Sequence, residues 1–196
     1  PGSGKGTQGA KIAEKLGVPL VVLGDILRAA VREKTAAGSK AESFMSQGAL
    51  VPDAIVVAIA QEHLEKLSGF VLDGYPRTIE QAKALEQAAK LDRVYYFAIP
   101  EAVVIARLSG RRSCPKCGAV YHLESKPTKS TGICDACGGE LIIRSDDKEG
   151  VIRNRFAAYH KQTEPLVAYY EQQGILTKID AAQDIKKVAA DLLAAG

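Results

Sequence analysis

The stretch PGSGKGTQG, residues 1 to 9, decides the fold class. It matches the end of the pattern G-x-x-x-x-G-K, in which backbone N–H groups curl around phosphate oxygens and the lysine, here Lys5, reaches the outer phosphates. The general pattern has Ser or Thr directly after the lysine to bind Mg²⁺, whereas here Gly6 separates Lys5 from Thr7. The following residues read as a helix whose N-terminus would favour an anion.

Short apolar runs alternate with helical patterns along the rest of the chain. The apolar runs cover residues 19–23, 70–73, 94–99 and 175–179. The helical patterns between them include residues 53–67, 78–89 and 101–111. Such alternation is typical of a parallel sheet covered by helices on both faces. The sequence therefore predicts a three-layer α/β fold, a doubly wound parallel sheet of the P-loop type.

A strand is expected directly before a phosphate loop, usually at the centre of such a sheet. Residues 1–196 contain no segment for it. Burying about five Val, Ile or Leu side chains contributes on the order of 10 kcal/mol, which is comparable to the whole net stability of a domain, about 5–15 kcal/mol. We expect the natural chain to carry several more N-terminal residues. The alternative is a true N-terminus at Pro1.

Two segments interrupt the alternation of strands and helices. Residues 25–52 are helix-like throughout, and residues 112–150 hold every cysteine in a polar, glycine-bearing sequence. Both read as insertions on the ligand side of the sheet. A long helical pattern at residues 151–173 contains Pro165, which is predicted to break or kink the helix near Glu164.

The four cysteines have the spacing of a metal site. They form two C-x2-C pairs separated by sixteen residues, Cys114 with Cys117 and Cys134 with Cys137. This pattern predicts tetrahedral Zn²⁺ bound by four thiolates. With four protein ligands the metal would be structural, since no position is left for a substrate. Two disulfides are the alternative.

Arginines stand beside the predicted strand ends and in the insertions, while lysines dominate the outward helix faces. Guanidinium groups bind phosphate through two hydrogen bonds and stay charged, so several in one pocket would suit two phosphate-bearing ligands. Asp73, at the end of an apolar run, is where a carboxylate would hold Mg²⁺ or its waters. The arginines in question are Arg28, Arg77, Arg107, Arg111, Arg112, Arg144, Arg153 and Arg155.

Composition limits the other function classes. The chain is 46% hydrophobic, and its formal charge of +3 gives no reason to expect a nucleic-acid partner. No apolar stretch approaches the roughly 18 residues of a membrane span, and no signal peptide is visible, so we expect a cytoplasmic protein without a membrane partner. His63 reads as a surface residue, His160 as facing either solvent or a helix neighbour, and His122 as a loop residue that could lie near a ligand. No nucleophile arrangement emerges.

Together these residues resemble the adenylate kinase family in its long form with a zinc-bearing lid. PGSGKGTQ, GDILR, DGYPRT with Gln81, SGRR and the four-cysteine insertion occur in the family's order across essentially the whole chain. The resemblance implies a monomer that reversibly transfers a phosphoryl group from MgATP to AMP, giving two ADP. It also implies a core at residues 1–22, 53–109 and 148–196, an insertion at 23–52 that binds the nucleoside monophosphate, and a zinc-bearing lid at 110–147.

The resemblance further implies the donor site. Lys5 would contact the transferred group, Arg107 the ATP adenine, and Arg111 the ATP phosphates. The implied ATP-binding residues are Gly2, Ser3, Gly4, Lys5, Gly6, Thr7, Arg107, Arg111, Val120, Tyr121 and Gln183.

The acceptor site follows in the same way. Arg28 and Arg77 would clamp the AMP phosphate, and Arg144 with Arg155 would bridge the two phosphate chains. The implied AMP-binding residues are Leu23, Arg28, Ala49, Leu50, Val51, Gly74, Tyr75, Pro76, Arg77, Gln81, Arg144 and Arg155. The implied catalytic residues are Lys5, Arg77, Arg111, Arg144 and Arg155. Asp146 and Asp147 match the acidic pair of the lid hinge.

One departure from the family pattern affects the acceptor. The family usually has Ser-Thr-Gly-Asp where this chain has Val22-Leu23-Gly24-Asp25, so a threonine hydroxyl near the base is replaced by Leu23. Three alternatives stay open at this point. They are a nucleoside monophosphate kinase with another acceptor base or GTP as donor, a zinc-ribbon nucleic-acid-binding module with a nucleotide switch, and an inactive fragment.

Overall fold

The computed structural model describes residues 1–195, in which short strands alternate with helices. The strands are β1 (Leu20–Val22), β2 (Val71–Asp73), β3 (Val94–Ala98), β4 (Arg111–Ser113), β5 (Val120–His122) and β6 (Leu176–Asp180). The helices are α1 (Lys5–Leu16), α2 (Leu23–Arg32), α3 (Ala36–Ser46), α4 (Asp53–Leu64), α5 (Ile79–Ala88), α6 (Glu101–Gly110), α7 (Glu149–Ala158), α8 (Pro165–Gln172) and α9 (Ile185–Ala194). A 3₁₀ turn covers Ser145–Asp147 and a π-helical turn covers Tyr159–Thr163.

All four strands predicted from apolar runs form, and they pair in parallel. β1 pairs with β2, with Val22 opposite Asp73. β3 pairs with β6, with Val94 opposite Leu176. The α/β prediction is confirmed. The antiparallel pair β4–β5 was not predicted, because its three-residue strands in a polar segment carry no apolar run.

The parallel strands form two separate pairs within residues 1–195, not one continuous sheet. A cavity of about 900 Å³ is lined by residues of both β2 and β3, including Leu72 and Tyr96, and by apolar side chains such as Ile12 and Val104. The reason for the division is that no described segment lies between β2 and β3 to pair with both. The cavity therefore removes apolar contacts from the centre of the fold.

Helices cover both faces of the β3–β6 pair. Ile12 of α1 and Leu192 of α9 pack with Ile179 on one face. Leu166 and Tyr170 of α8 pack with Leu176 on the other. Successive strand residues point to opposite faces, so Leu176 and Ile179 lie on opposite faces of β6. Each face is covered by a layer of helices, as the predicted three-layer fold requires.

The helical pattern around Pro165 divides as predicted. α7 ends at Ala158, the π-helical turn follows, and α8 begins with Pro165 as its first residue. Proline is tolerated at the first position of a helix because it has no N–H to donate there. The turn is joined to the site described below, since the Thr163 hydroxyl donates to the Arg77 carbonyl oxygen at 2.8 Å.

Within residues 1–195, no helix combines the length and the apolar character needed to cross a membrane.

Filling the cavity between β2 and β3 is expected to stabilise the protein. We consider an extension of about five β-branched apolar residues ahead of Pro1, whose burial would contribute on the order of 10 kcal/mol before the entropy of ordering is subtracted. We expect the extended protein to melt more than about 10 °C above the unextended chain in calorimetry. A Gly/Ser extension of the same length is the control, and equal melting temperatures for the two extensions would contradict this account.

Candidate active site

The phosphate loop runs from Pro1 into α1. Gly2 and Gly4 have φ angles of +61° and +83°, in the left-handed region that glycine adopts without steric cost. Gly4 is the N-cap of α1 and provides no side-chain cap. The N–H groups of the first turn are therefore available to a ligand, and the helix dipole favours an anion there. This is the geometry that the sequence pattern predicts for phosphate binding.

Lys5 and Asp73 face each other across the loop. Lys5 Nζ lies 3.9 Å from Asp73 Oδ1, a buried oxygen that has no hydrogen-bond partner among the described residues. Asp73 can approach because position 6 is glycine: a Cβ on Gly6 would lie 2.9 Å from Asp73 Oδ2. The close approach is a structural reason for the glycine that separates Lys5 from Thr7.

Six arginines from separate parts of the chain line one cavity of about 890 Å³, together with Lys5 and the rest of the loop from Gly2 to Thr7. The six are Arg28 of α2, Arg77 after β2, Arg107 of α6, Arg111 of β4, Arg144, and Arg155 of α7. Of the other two arginines singled out in the sequence, Arg112 donates to the Ser109 carbonyl oxygen and Arg153 is not among the described lining residues.

Positive charge is concentrated in this cavity. Asp73 raises the pKa of Lys5, but burial and three neighbouring guanidinium groups outweigh it, so that pKa is lowered overall. Burial, aided by Arg28 and Arg111, lowers the pKa of Arg144 to about 10. Burial and the neighbouring guanidinium groups both disfavour the charged forms of Lys5 and Arg144. An anionic ligand would relieve the repulsion from those guanidinium groups.

Carboxylates hold the arginines in place. Asp147, whose side chain is fully buried, accepts hydrogen bonds from Arg111 Nε at 2.7 Å and from Arg155 Nη1 at 3.1 Å. Asp146 also pairs with Arg155, at 3.1 Å. Burial raises the pKa of Asp146, but Arg155 and other arginines outweigh it and lower that pKa. The acidic pair that the sequence assigns to a hinge is thus also the anchor of two cavity arginines.

The Asp25 carboxylate also holds two cavity arginines in place. It pairs closely with Arg28 on the same helix and lies 3.8 Å from Arg144 Nη2. The carboxylate therefore joins α2 to a segment near the end of the predicted lid. Sequence reasoning missed the contact with Arg144, because the two residues are far apart in the chain. The pair with Arg28 is three residues apart on one helix, a spacing at which side chains meet.

The predicted acceptor residues fall into two groups. Leu23, Ala49, Leu50, Val51, Gly74 and Gln81 line the cavity with the arginines. Tyr75 and Pro76 instead face the cavity between β2 and β3, and the Tyr75 hydroxyl donates to the Gln81 carbonyl oxygen.

Gln81 is 1% exposed and fully engaged by the protein. Its Oε1 accepts from the Arg77 N–H, and its Nε2 donates to Asp53 Oδ1, both at 2.8 Å. The Thr78 hydroxyl donates to the other Asp53 oxygen at 2.9 Å. Asp53 and Thr78, which were not predicted, thus fix the orientation of Gln81 and, through it, the backbone of Arg77.

The predicted donor residues all line the same cavity as the loop. Arg107 Nη1 donates to the Ala181 carbonyl oxygen at 2.9 Å. Gln183 donates to the Asp180 carbonyl oxygen and to Asp191, both at 3.1 Å. Val120 and Tyr121 come from β5, and the Tyr121 side chain is turned away toward the cysteines, where it is buried.

The four cysteines form one cluster. Their Sγ atoms all lie within 4.8 Å of one another, and the closest pairs, Cys114–Cys137 and Cys117–Cys134, are 3.4 and 3.6 Å apart. A disulfide needs about 2.05 Å, and all four cysteines are free. Zn–S bonds of about 2.3 Å in a tetrahedron place sulfur atoms roughly 3.8 Å apart. The cluster therefore fits a metal ion and not two disulfides.

The two cysteine pairs are built as matching turns. In each, the N–H of the residue after the second cysteine donates to the carbonyl oxygen of the first, Gly118 to Cys114 and Gly138 to Cys134, both at 2.9 Å. Both glycines have positive φ, +78° and +69°. This explains why a glycine follows each pair in the sequence.

The histidines differ in position. His63 is exposed, as predicted. His160 is exposed as well, and its ring also contacts Phe156 and Tyr159. His122 lines the arginine cavity. Its Nδ1 accepts from the N–H groups of Glu124 and Ser125, so the ring proton belongs on Nε2, which is buried and has no partner among the described residues.

Comparison with known proteins assigns the family. A family model described as adenylate kinase matches residues 1–175. The chain belongs to the adenylate kinase family. Adenylate kinase of Geobacter sp. (strain M21) is 45% identical over 203 residues, covering 100% of this chain and 95% of that protein.

Other relatives agree. Adenylate kinase of Archaeoglobus fulgidus is 46% identical over 196 residues, covering 96% of this chain and 90% of that protein. Adenylate kinase of Geobacillus sp. (strain WCH70) is 45% identical over 200 residues, covering 98% and 93%. Membership of the adenylate kinase family confirms the resemblance and the prediction of a phosphotransferase enzyme. Neither the family match nor these relatives favour a nucleic-acid-binding module.

Gly48 brings the loop before α4 against α7. It has a φ of +75°, and a Cβ there would lie 2.7 Å from the Val151 carbonyl oxygen and 3.0 Å from Arg155 Cγ. Asn154 adds a hydrogen bond to the Gln47 carbonyl oxygen at 3.0 Å. The loop that carries Ala49 to Val51 therefore rests directly on the helix that carries Arg155.

Replacing Gly48 by Ala is expected to displace Arg155 and to lower kcat/KM for AMP by about tenfold or more, since displacements near 1 Å in such sites are costly. Steady-state kinetics of the purified variant would measure the effect. Gly174→Ala is the matched control, because Gly174 has a φ of +72° with nothing within 4 Å of an added Cβ. Equal kinetics for the two variants would refute the positioning role.

Proposed function

We propose that this chain catalyses the reversible transfer of the γ-phosphoryl group of MgATP to AMP, giving two ADP, within the arginine-lined cavity. The observation that carries the proposal is the convergence of six arginines and Lys5 on the phosphate loop. Hydrolysis of one nucleotide needs fewer cations, whereas two nucleotides with facing phosphate chains need charge neutralisation along both. Family membership supports the same reaction.

The donor would bind along the loop. The N–H groups at the start of α1 would hold the ATP phosphates, and Lys5 would follow the transferred group. Arg107 and Gln183, which lie near each other, would receive the adenine together with Val120 and the main chain of β5 beside it. Arg111 would neutralise the outer phosphates.

Mg²⁺ would arrive with ATP, and Asp73 is the residue best suited to hold it. Its Oδ1 is buried without a partner among the described residues and lies near Lys5, which fits a carboxylate that binds a cation or the water molecules around it. When bound, Mg²⁺ would neutralise charge on the phosphate oxygens.

The acceptor would bind between α2 and the turn after β2. Arg28 and Arg77 would hold the AMP phosphate, and Leu23 with Ala49, Leu50 and Val51 would form an apolar wall for its base. Gln81 would keep Arg77 in position through its hydrogen bond to the Arg77 N–H. Its Nε2 donates one hydrogen to Asp53 and would offer its second hydrogen to the base. Because Leu23 offers no hydroxyl, it would contribute packing but no hydrogen bond to base selection.

The transfer itself needs no covalent intermediate. Positioning of the attacking oxygen in line with the leaving group, together with charge neutralisation, supplies most of the catalysis in such reactions. Arg144 and Arg155 would bridge the two phosphate chains. By exchanging Asp25, Asp146 and Asp147 for phosphate oxygens as partners, the arginines would bring the predicted lid (residues 110–147) over the nucleotides and exclude water.

Zn²⁺ is proposed for the cysteine cluster. Cys114, Cys117, Cys134 and Cys137 would complete its coordination, so the metal would be structural and would hold together a segment too small for a core of its own. The boundaries of the core, insertion and lid, the monomeric state and the cytoplasmic location stay predictions.

The reaction is tested by offering AMP, CMP, UMP and GMP with MgATP and measuring diphosphate formation. We expect AMP to be preferred and Lys5→Ala to reduce kcat by at least about 10²-fold, as loss of an electrostatic group at the transferred phosphate does elsewhere. Circular dichroism of Lys5→Ala provides the folding control. An unchanged kcat in this variant would refute the role of Lys5, and preference for another acceptor would refute the assignment of AMP.

The structural role of the metal gives a separate expectation. Cys114→Ser removes one thiolate from a buried cluster and should lower the melting temperature more than it lowers kcat at a temperature where the variant is folded. Differential scanning calorimetry and kinetics on the same sample would compare the two. A large loss of kcat at unchanged stability would count against a purely structural metal.

A further inference from the structure

The side chain of Tyr121 belongs to the cysteine cluster. Tyr121 is 7% exposed, and its ring packs with Cys114 and Cys134. Its hydroxyl oxygen lies 3.5 Å from Cys134 Sγ. The family resemblance gives Tyr121 only a nucleotide contact, and a side chain buried at the sulfur atoms is not available for that contact.

The direction of the hydrogen bond follows from a second contact. The backbone N–H of Asp135 donates to the Tyr121 hydroxyl oxygen at 3.0 Å. That bond uses the oxygen as an acceptor and leaves the phenol hydrogen free to point elsewhere. Cys134 Sγ is within reach, and a metal-bound thiolate has no proton of its own, so the phenol must be the donor.

Charge makes this donor useful. Four thiolates around a divalent cation carry an excess of negative charge, which buried surroundings make costly. A phenol hydrogen directed at one sulfur spreads that charge. Lys126 adds a positive charge that also offsets the negative charge of the thiolates, because its Nζ lies 5.1 Å from the centre of the Tyr121 ring.

The main chain of Tyr121 belongs to the other site. Tyr121 is the central residue of β5, opposite Arg112 of β4, and the next pair in the register joins Arg111 to His122. Val120, Tyr121 and His122 all line the arginine cavity. The strand that carries Tyr121 therefore borders the arginine cavity, while the Tyr121 side chain packs in the sulfur cluster.

We infer that Tyr121 is a positioning residue for the metal: its hydroxyl supports Cys134 as a thiolate ligand from outside the ligand sphere. This rests on the proposed zinc site. It goes beyond that site by assigning a fifth side chain to metal retention, and it moves the Tyr121 side chain from nucleotide binding to metal binding.

The test is Tyr121→Phe in the full chain, which removes the hydroxyl and keeps the ring. Zinc affinity is measured by competition with a chromophoric chelator. Loss of a hydrogen bond to a metal ligand typically costs about 10–100-fold in affinity, and we expect a loss in that range. Tyr169→Phe is the matched control, because the Tyr169 hydroxyl donates to Glu86 on an exposed surface outside the cluster, and its zinc affinity should equal that of the wild type.

A spectroscopic measurement separates support of the thiolate from simple packing. With Co²⁺ in place of Zn²⁺, the thiolate-to-metal absorption band of Tyr121→Phe should shift, because one sulfur loses its hydrogen bond, while that of Tyr169→Phe should not. If Tyr121→Phe has wild-type zinc affinity and an unshifted band, the inference about Tyr121 is overturned while the metal site stands. A wild-type chain that takes up no zinc would overturn the metal site and the inference with it.

Discussion

Repulsion between buried cations is the constraint on which the site depends. Six guanidinium groups share one cavity with Lys5, and burial with its neighbours already lowers the pKa of Arg144 to about 10. Such a set is stable only when anions balance it. Asp25, Asp146 and Asp147 pair with these arginines and contribute to that balance. The arginines that pair with carboxylates in the folded protein are therefore the same ones that would pair with a bound anion.

Close backbone approach is the second element of the site, and it depends on glycine. Gly6 admits Asp73 to the phosphate loop, and Gly48 admits the acceptor loop to α7. In both places a methyl group would separate a charged side chain from its position. The geometry of the site therefore depends on the lack of a side chain at Gly6 and Gly48 as well as on the charged side chains themselves.

Much of the fold could be predicted because the signals are local. Four apolar runs predict four strands, Pro165 predicts the end of a helix, and cysteine spacing predicts one cluster. The rest depends on contacts between distant segments. The sharing of Asp147 by Arg111 and Arg155, the anchoring of Gln81 by Asp53, and the inward turn of Tyr121 leave no mark in spacing or periodicity.

The sharing of Asp147 also bears on which molecules can enter. A ligand must offer Arg111 and Arg155 at least as much negative charge as the buried carboxylate that already holds both. Phosphate esters meet that requirement, since they present several charged oxygens to a guanidinium fork. A nucleoside without phosphate has the same base and sugar but nothing to exchange, so it would leave the arginines locked to their internal partner. On the proposed function, charge would therefore act before shape in the choice of ligand.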